Sequence, residues 1–224
     1  CVNVEIAGEK IPFGSNLLIT YDNNRKLKVA VEICEDLWTP EPPSISHAKN
    51  GATLIVNASA SNETIGKDSY RKQLVSGQSA RLVCGYVYAS AGGGESTQDI
   101  VFSGHNLICE NGTVLSESHK FLDESVYADI DLDRIYSERR RMSTYDVKEN
   151  SPYTVVRAEG LIDKELELIR YFDKAPFVPS DKMERDSRCE EILNIQTYGL
   201  KKRLEHTNCK NAVIGISGGL DSTL

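Results

Sequence analysis

The sequence predicts an α/β fold in which buried strands alternate with helices. Residues 53–56 (Thr-Leu-Ile-Val) form a continuous apolar run, which is typical of a strand covered on both faces. Residues 68–83 carry apolar side chains at helical spacing. Asn111-Gly112 separates two further segments of strand character and is a strong signal for a β-hairpin. Strands that alternate with helices, together with one hairpin, indicate a layered α/β domain.

Composition and length set the broad class of the protein. The 224 residues are 40% hydrophobic and 26% charged, which is ordinary for a globular protein with one domain or one and a fraction. A net charge of −7 argues against a nucleic-acid partner, and no apolar run approaches the roughly 18 residues of a membrane span. The six cysteines show no paired spacing, which argues against a zinc site and fits a reducing cytoplasm.

Further elements follow from the same periodicity rules. Residues 146–185 contain three prolines and few periodic runs, which indicates a linker or wrapping segment. We therefore expect a first domain at 1–145, this linker, and the start of a second domain at 186–224. The predicted strands cover 17–21, 27–33, 53–56, 86–89, 100–109, 113–116, 126–130 and 212–216. One predicted helix ends near 50–51, and three others cover 68–83, 132–142 and 189–204. Asp68 or Ser69 is the expected N-cap of the helix at 68–83.

A glycine-rich motif, Ser-Gly-Gly-Leu-Asp-Ser at 217–222, directly follows the predicted buried strand at 212–216. Gly218 and Gly219 allow the backbone to approach phosphates, where successive N–H groups form an anion-binding nest. A helix expected after Ser222 would add its positive end. The motif lacks the Gly-Lys-Ser/Thr of a Walker A loop and is typical of the pyrophosphate loop of ATP-dependent adenylating enzymes; a ligand-free turn is the alternative. The expected ATP-binding residues are Gly215, Ile216, Ser217, Gly218, Gly219, Leu220, Asp221 and Ser222, with Asp221 as the candidate Mg²⁺ ligand.

A second motif, Glu-Ile-Cys-Glu-Asp-Leu-Trp, places Cys34 at the end of the predicted strand at 27–33. A nucleophilic thiol needs a base within reach and access to a cleft, and a sharp turn after a strand provides that access. A small buried core residue is the alternative interpretation of a lone cysteine in this position.

Four segments around Cys34 resemble the glutaminase domain of the glutamine-dependent NAD⁺ synthetases, which belong to the nitrilase superfamily. They are 29–43, 56–62 (Val-Asn-Ala-Ser-Ala-Ser-Asn), 91–97 (Ala-Gly-Gly-Gly-Glu-Ser-Thr) and 104–106 (Gly-His-Asn). The resemblance covers residues 1–145 and 186–224, and the two modules occur in the family's order. It implies part of a nitrilase-type αββα sandwich, followed by the first helix and strand of a Rossmann-like pyrophosphate-loop domain.

The resemblance also implies a reaction. Cys34 would attack the side-chain amide of glutamine to form a γ-glutamyl thioester, while the N–H of Glu35 helps to hold the oxyanion. Ser61 and Lys67 match the positions that bind glutamine, although a turn-capping serine and a solvated lysine are the alternatives. The released ammonia would convert deamido-NAD⁺ to NAD⁺ at a second site that uses ATP and Mg²⁺ and no prosthetic group. The full-length enzyme is expected to be a cytoplasmic homo-oligomer without a nucleic-acid or membrane partner.

One departure from the family pattern concerns the catalytic triad. The family's Glu and Lys lie many tens of residues before the cysteine, whereas Lys28, Glu32 and Glu35 are too close to Cys34 to take those roles. We therefore expect the chain to be catalytically incomplete. Because it begins without Met and ends two residues after Asp221-Ser222, we also expect both ends of the sequence to be cut.

Three other interpretations compete with this one. An asparagine-synthetase-like amidotransferase would use an N-terminal nucleophile, and the chain begins with Cys1, but Val2 follows where a glycine is expected. A stand-alone nitrilase-type amidase would leave the motif at 217–222 unexplained. A non-catalytic binding module is the third alternative.

Overall fold

The computed structural model describes residues 1–95, 99–146, 152–160 and 167–224. These residues divide into two compact units, Cys1–Arg170 and Tyr171–Leu224. The strand at 154–158 lies inside the segment for which the sequence predicted a linker, within the first unit. The three-part domain division at 1–145, 146–185 and 186–224 stays a prediction.

The first unit is built on a seven-stranded mixed sheet in the order β8-β7-β6-β5-β4-β3-β9. The neighbours β4, β5 and β6 are parallel, so their carboxyl ends lie at one edge of the sheet. A separate antiparallel hairpin joins β1 to β2. The strands are β1 (Val2–Ile6), β2 (Glu9–Phe13), β3 (Leu17–Tyr21), β4 (Asn24–Ile33), β5 (Leu54–Ser59), β6 (Gly85–Ser90), β7 (Leu107–Glu110), β8 (Thr113–Glu117) and β9 (Thr154–Ala158).

Two helices, α1 (Pro43–Lys49) and α2 (Lys67–Leu82), pack on one face of this sheet. Their buried side chains join those of the strands in a single core. A third helix, α3 (Leu132–Arg141), contacts β4 and buries Ile135. The predicted α/β fold is confirmed. The core contains Leu18, Ala30, Leu37, Ala48, Ala52, Ile55, Val75, Leu82, Cys84, Tyr86, Tyr88, Leu107 and Cys109.

The predicted hairpin is confirmed, with its turn at Asn111-Gly112 between β7 and β8. Both turn residues have positive φ, 45° and 87°, as a two-residue hairpin turn of type I′ requires. A Cβ on Gly112 would lie 2.9 Å from the Cβ of Ala80 in α2. Glycine is therefore needed here for both its backbone conformation and its lack of a side chain.

The predicted N-cap of α2 was wrong. The N-cap is Gly66, with a left-handed φ of 80°, and no side chain bonds to the helix end. Asp68 and Ser69 already lie within the first turn, where they cannot act as the residue preceding the helix. Asp68 instead forms an ion pair with Lys120 at 2.7 Å.

The predicted strand at 126–130 is also wrong, because these residues pair with no strand of the described sheet. Their polar groups bond elsewhere: the Asp129 carboxylate accepts the N–H groups of Ile169 and Arg170 at 2.6 and 2.9 Å. Ile130 packs close to Gly85 at the start of β6. Ile130 thus packs against the sheet, but the segment does not extend the sheet.

The second unit contains α4 (Lys182–His206), which confirms the predicted helix, and the short α5 (Leu220–Thr223). The predicted buried strand at 212–216 is wrong: Val213 is 98% and Ile214 is 68% exposed. A strand needs a neighbour to bond its backbone, and among the described residues of this unit none provides one. No helix in the described part of the chain combines the length and apolar composition that a membrane span requires.

Candidate active site

Cys34 lies at the junction between β4 and a short 3-10 helix, Cys34–Trp38. Its backbone φ is 53°, a left-handed conformation that costs an L-residue about 1–2 kcal/mol. The Asp36 carboxylate accepts the N–H of Ile33 at 2.8 Å, which ties the turn back to the end of the strand. The thiol is free and half-buried, so this sharp turn presents it at the sheet edge.

A cleft of about 370 Å³ opens beside the Cys34 thiol, which is within the usual size range of small-ligand sites. It lies where the loops after β4 and β5 meet, at the carboxyl ends of parallel strands, where α/β sheets bind ligands. The cleft brings together Cys34, Ser61 and Lys67, the three residues that the sequence selected for the glutaminase reaction. The lining residues are Cys34, Glu35, Trp38, Ala60, Ser61, Asn62 and Lys67.

Lys67 is the first residue of α2, and its ammonium group is held in a fixed position. Its Nζ donates to the backbone oxygen of Asn62 at 2.8 Å and to the Asn62 side chain at 2.7 Å. The same group lies 5.4 Å from the ring centroid of Trp38, within the range of a cation–π contact. Desolvation, together with the Arg71 guanidinium, lowers the pKa of Lys67.

Ser61 follows β5 and is 7% exposed. The helix after it begins six residues later with Gly66 as its N-cap, so Ser61 does not cap α2. Its small polar side chain lines the same cleft as Cys34. The roles of Ser61 and Lys67 toward glutamine stay predictions.

A chain of buried polar side chains lies beneath the cleft and was not found from the sequence. Tyr86 donates to Glu32, Asn57 bonds to Tyr86, and Asn57 also contacts the backbone of Cys34. Burial, followed by the nearby Glu32 carboxylate, raises the pKa of Tyr86, so the phenol keeps its proton. The strand pattern contained a signal, because period-2 alternation puts Glu32 on the covered face with Ala30.

A buried ion pair holds the loop between β5 and α2. Arg71 is fully buried, and its Nη1 lies 3.1 Å from the Glu63 carboxylate and 2.9 Å from Nδ1 of His105. Because arginine can only donate, Nδ1 of His105 accepts, and Nε2 therefore donates to Glu117 at 2.9 Å. His105 of the Gly-His-Asn segment thus links α2 to β8 and does not line the cleft.

The glycine-rich segment after β6 is described only as far as Glu95, and its Ser96 and Thr97 lie outside the described residues. The Asp123 carboxylate accepts the N–H of Gly93 at 3.0 Å. A Cβ on Gly92 would lie 2.4 Å from the same carboxylate, so a larger residue would displace Asp123.

The motif at 217–222 forms a self-bonded turn in the second unit. The hydroxyls of Ser217 and Ser222 lie 3.1 Å apart, and the Ser222 hydroxyl donates to the carbonyl of Gly219 at 3.0 Å. Gly218 has a φ of 83° and open space around it. Asp221 is exposed in the first turn of α5. The motif's ATP-binding role stays a prediction.

The other cysteines lie in environments unlike that of Cys34. Cys84 and Cys109 are buried, and burial raises their pKa values to about 12 and about 11, which keeps both thiols protonated. Cys1, Cys189 and Cys209 are exposed. Among the residues that the structure describes, no three His, Cys, Asp or Glu side chains are grouped to hold a metal ion.

Comparison with known proteins identifies a family and a set of relatives. The model of the carbon-nitrogen hydrolase family matches residues 7–140. A glutamine-dependent NAD(+) synthetase of Mycobacterium tuberculosis is 40% identical over 98% of this chain and 34% of its own length. That of Thermotoga maritima is 31% identical over 94% of this chain and 35% of its own length. The chain thus spans about a third of the length of the curated relatives it matches.

One solved structure among the similar ones is a glutamine-dependent NAD(+) synthetase from Cytophaga hutchinsonii. It is 32% identical, with a TM-score of 0.44, over 53% of this chain and 18% of that protein.

Proposed function

The chain belongs to the carbon-nitrogen hydrolase family, and from this premise we propose that Cys34 is the nucleophile of a glutaminase. The observation that carries the proposal is the single cleft that holds the Cys34 thiol, Ser61 and Lys67. The similarity to glutamine-dependent NAD(+) synthetases over nearly the whole chain supports glutamine as the substrate.

The chemistry is an acyl transfer to sulfur. The Cys34 sulfur attacks the side-chain carbonyl carbon of glutamine, the carbon–nitrogen bond breaks, and ammonia leaves with the proton that came from the thiol. Water then hydrolyses the γ-glutamyl thioester to glutamate and restores the thiol. The N–H of Glu35 lies in the first turn of the 3-10 helix, where helices leave N–H groups without a helical partner, and it donates to the oxyanion.

The other end of glutamine binds across the cleft. The Lys67 ammonium pairs with the α-carboxylate, and Ser61 donates or accepts a hydrogen bond. Trp38 and Asn62 hold the ammonium in place through the contacts at 5.4 and 2.7 Å. Lysine acts here as a point charge, without the two-pronged hydrogen bonding of an arginine.

The whole protein supplies the remaining catalytic groups in this proposal. The Glu and Lys of the family triad come from outside these 224 residues, since Lys28, Glu32 and Glu35 follow or precede the nucleophile too closely. Glu32 is also fully engaged below the cleft with Tyr86 and Ser44.

The second activity belongs to the unit that contains residues 215–222. There the carboxylate of deamido-NAD⁺ attacks the α-phosphate of ATP and releases pyrophosphate, and the ammonia released at Cys34 then displaces AMP to give NAD⁺. Backbone N–H groups around Gly218 and Gly219 bind the phosphates. Asp221 offers an exposed carboxylate, a ligand type that Mg²⁺ prefers, and the ion would neutralise phosphate charge.

Covalent labelling of the whole protein tests the nucleophile. A glutamine analogue with a diazoketone in place of the amide is expected to modify Cys34, and free glutamine should protect it. Cys189 is exposed and serves as the internal control, because glutamine should not protect it from iodoacetamide. An enzyme that is inactivated by the analogue without an adduct at Cys34 would show that the proposal is wrong.

A further inference from the structure

Three buried side chains connect the interior of the sheet to the backbone of Cys34. Glu32 on β4, Tyr86 on β6 and Asn57 on β5 are each at most 1% exposed. Their contacts run in sequence from Glu32 to Tyr86, from Tyr86 to Asn57, and from Asn57 to Cys34. We call this set the Glu32–Tyr86–Asn57 chain. Burying a carboxylate inside a sheet costs free energy unless hydrogen bonds compensate for the lost water. The partners of Glu32 therefore determine whether it can be accommodated there.

The carboxylate end of the chain is fixed by two donors. The Tyr86 hydroxyl donates to Oε1 of Glu32, and the backbone N–H of Ser44 donates to Oε2 at 2.8 Å. The Ser44 hydroxyl in turn accepts from the Gln78 side chain at 2.9 Å. Glu32 therefore has one partner from the sheet and one from α1, and its orientation is determined.

The direction of every following hydrogen bond is set by this carboxylate. Because the Tyr86 proton is donated to Glu32, the Tyr86 oxygen can only accept from Asn57, whose Nδ2 lies 3.3 Å away. The amide oxygen of Asn57 must then face the other way. It accepts the N–H of Cys34 at 3.0 Å, while Nδ2 also lies 3.4 Å from the carbonyl oxygen of Cys34.

We propose that the Glu32–Tyr86–Asn57 chain positions the nucleophile by holding both backbone polar groups of Cys34. The residue has a φ of 53°, which only surrounding contacts maintain. Since Asn57 occupies the Cys34 N–H, that group is not available to an oxyanion, and the next N–H, that of Glu35, takes this role. The inference rests on the proposed function of Cys34. The three residues are positioning residues, because they act on the substrate through Cys34.

The sheet contains a matched control for this chain. Ser59 and Tyr88 lie two residues beyond Asn57 and Tyr86 on the same strands, and their hydroxyls bond to each other at 2.6 Å. Both tyrosines are fully buried, so Tyr86→Phe and Tyr88→Phe each remove one buried hydroxyl. The hydrogen bond between Ser59 and Tyr88 does not involve the backbone of Cys34.

The test measures glutamine hydrolysis and ammonia-driven NAD⁺ synthesis by the whole protein. For Tyr86→Phe we expect the kcat of glutamine hydrolysis to fall about tenfold with KM within about twofold, because misplaced reacting groups lose rate more than binding. Tyr88→Phe should stay within about twofold in both constants. Ammonia-driven synthesis should be unchanged in both variants, which verifies their folding.

A second variant, Glu32→Gln, tests the same positioning role and remains informative if Tyr86→Phe fails to fold. The amide has one acceptor in place of two, so either the Ser44 N–H or the Tyr86 hydroxyl loses its acceptor. We expect a loss of kcat at least as large as that of Tyr86→Phe, and a slower reaction of Cys34 with iodoacetamide at each pH.

The outcomes separate the two proposals. If Cys34→Ala keeps glutamine-driven synthesis, the proposed function is wrong. If Cys34→Ala abolishes it but Tyr86→Phe and Glu32→Gln match Tyr88→Phe in kcat and alkylation rate, only the positioning role is overturned.

Discussion

At the cleft, contacts with neighbouring residues fix the positions of individual side chains. Cys34 is kept at a φ of 53° by its contacts with Asn57, and the Lys67 ammonium is fixed by two bonds to Asn62. A thiol and a cation that stand ready in the free protein lose little freedom on binding substrate, which favours reaction.

Lys67→Met tests the binding of the substrate carboxylate. Loss of a charged hydrogen bond costs about 1.5–3 kcal/mol, so KM for glutamine should rise at least about tenfold in a steady-state glutaminase assay. Lys67→Arg should recover most of the loss, because it keeps the charge. Lys202→Met, on the exposed surface of α4, is the control. An unchanged KM in Lys67→Met would remove this residue from the glutamine site.

His47 makes stability depend on pH. Burial lowers its pKa below the ordinary 6.5, and Nε2 and Nδ1 bond to the Val31 carbonyl and the Tyr153 hydroxyl at 3.1 and 2.7 Å. The neutral ring is therefore the native form. Its contribution is complete above about pH 6.5 and decreases as the pH falls toward the lowered pKa, because the unfolded chain then binds more protons.

The measurement is the free energy of unfolding of the whole protein between pH 5 and 8, from urea titrations. We expect it to decrease below about pH 6.5 by up to about 1.4 kcal/mol per pH unit more than in His47→Gln. His206→Gln, at an exposed site in α4, should retain the wild-type slope. Equal slopes in wild type and His47→Gln would contradict the assignment.

Among the secondary-structure elements, β4, β5 and α2 together build the cleft. Two parallel strands bring Cys34 and Ser61 to one edge of the sheet, and the first turn of α2 adds Lys67. The hairpin of β7 and β8 supports α2 from the side, where Gly112 contacts Ala80.

Gly112→Ala and Gly199→Ala should change stability in opposite directions. At Gly112, a φ of 87° and a Cβ only 2.9 Å from that of Ala80 should cost about 1–3 kcal/mol. Gly199 lies within α4 with open space around it, so alanine should stabilise that helix by about 0.5–1 kcal/mol. Chemical denaturation of each variant gives the two values. A neutral Gly112→Ala would contradict the close contact.

The sequence was most informative where local pattern and tertiary contacts agree. Strand β3 and the hairpin turn at Asn111-Gly112 were predicted because periodicity and turn chemistry are local. The segments at 126–130 and 212–216 have strand composition, but strand pairing depends on distant residues, and no described strand pairs with either segment. Strand β9 was missed because its partner β3 lies more than a hundred residues away.

In the candidate site too, residues with a local sequence signal were predicted, and residues that act through tertiary contacts were missed. The motif around Cys34 and the family resemblance together predicted Cys34, Ser61 and Lys67 as site residues, and the structure places them in one cleft. Asn57 and Tyr86 could not be selected, because their effect on Cys34 depends on the register of three neighbouring strands. Of these three buried residues, only Glu32 could have been recognised from the sequence, because it is a carboxylate on the apolar face of a strand.

For the whole molecule, the proposal assigns two reactions to two units of the chain. In this proposal, residues of the first unit release ammonia, and residues 215–222 of the second belong to the site that consumes it. Ammonia is mostly protonated at neutral pH, so direct transfer between the two proposed sites would keep it reactive.

Gly218→Ala tests this separation in the whole protein. Its φ of 83° disfavours any side chain, so the turn that we propose binds phosphate should be disturbed. We expect NAD⁺ synthesis to fall at least about tenfold with either glutamine or ammonia as nitrogen donor, while glutamine hydrolysis at Cys34 continues. Full synthesis in this variant would remove the turn from the ATP site.

The most direct test of the central claim is the nitrogen-donor dependence of Cys34→Ala in the whole protein. NAD⁺ formation is measured from deamido-NAD⁺ and ATP, once with glutamine and once with ammonium chloride. The proposed roles predict that the variant loses glutamine-driven synthesis and retains ammonia-driven synthesis at close to the wild-type rate. Glutamine-driven synthesis at the wild-type rate would contradict the assignment of Cys34 as the nucleophile.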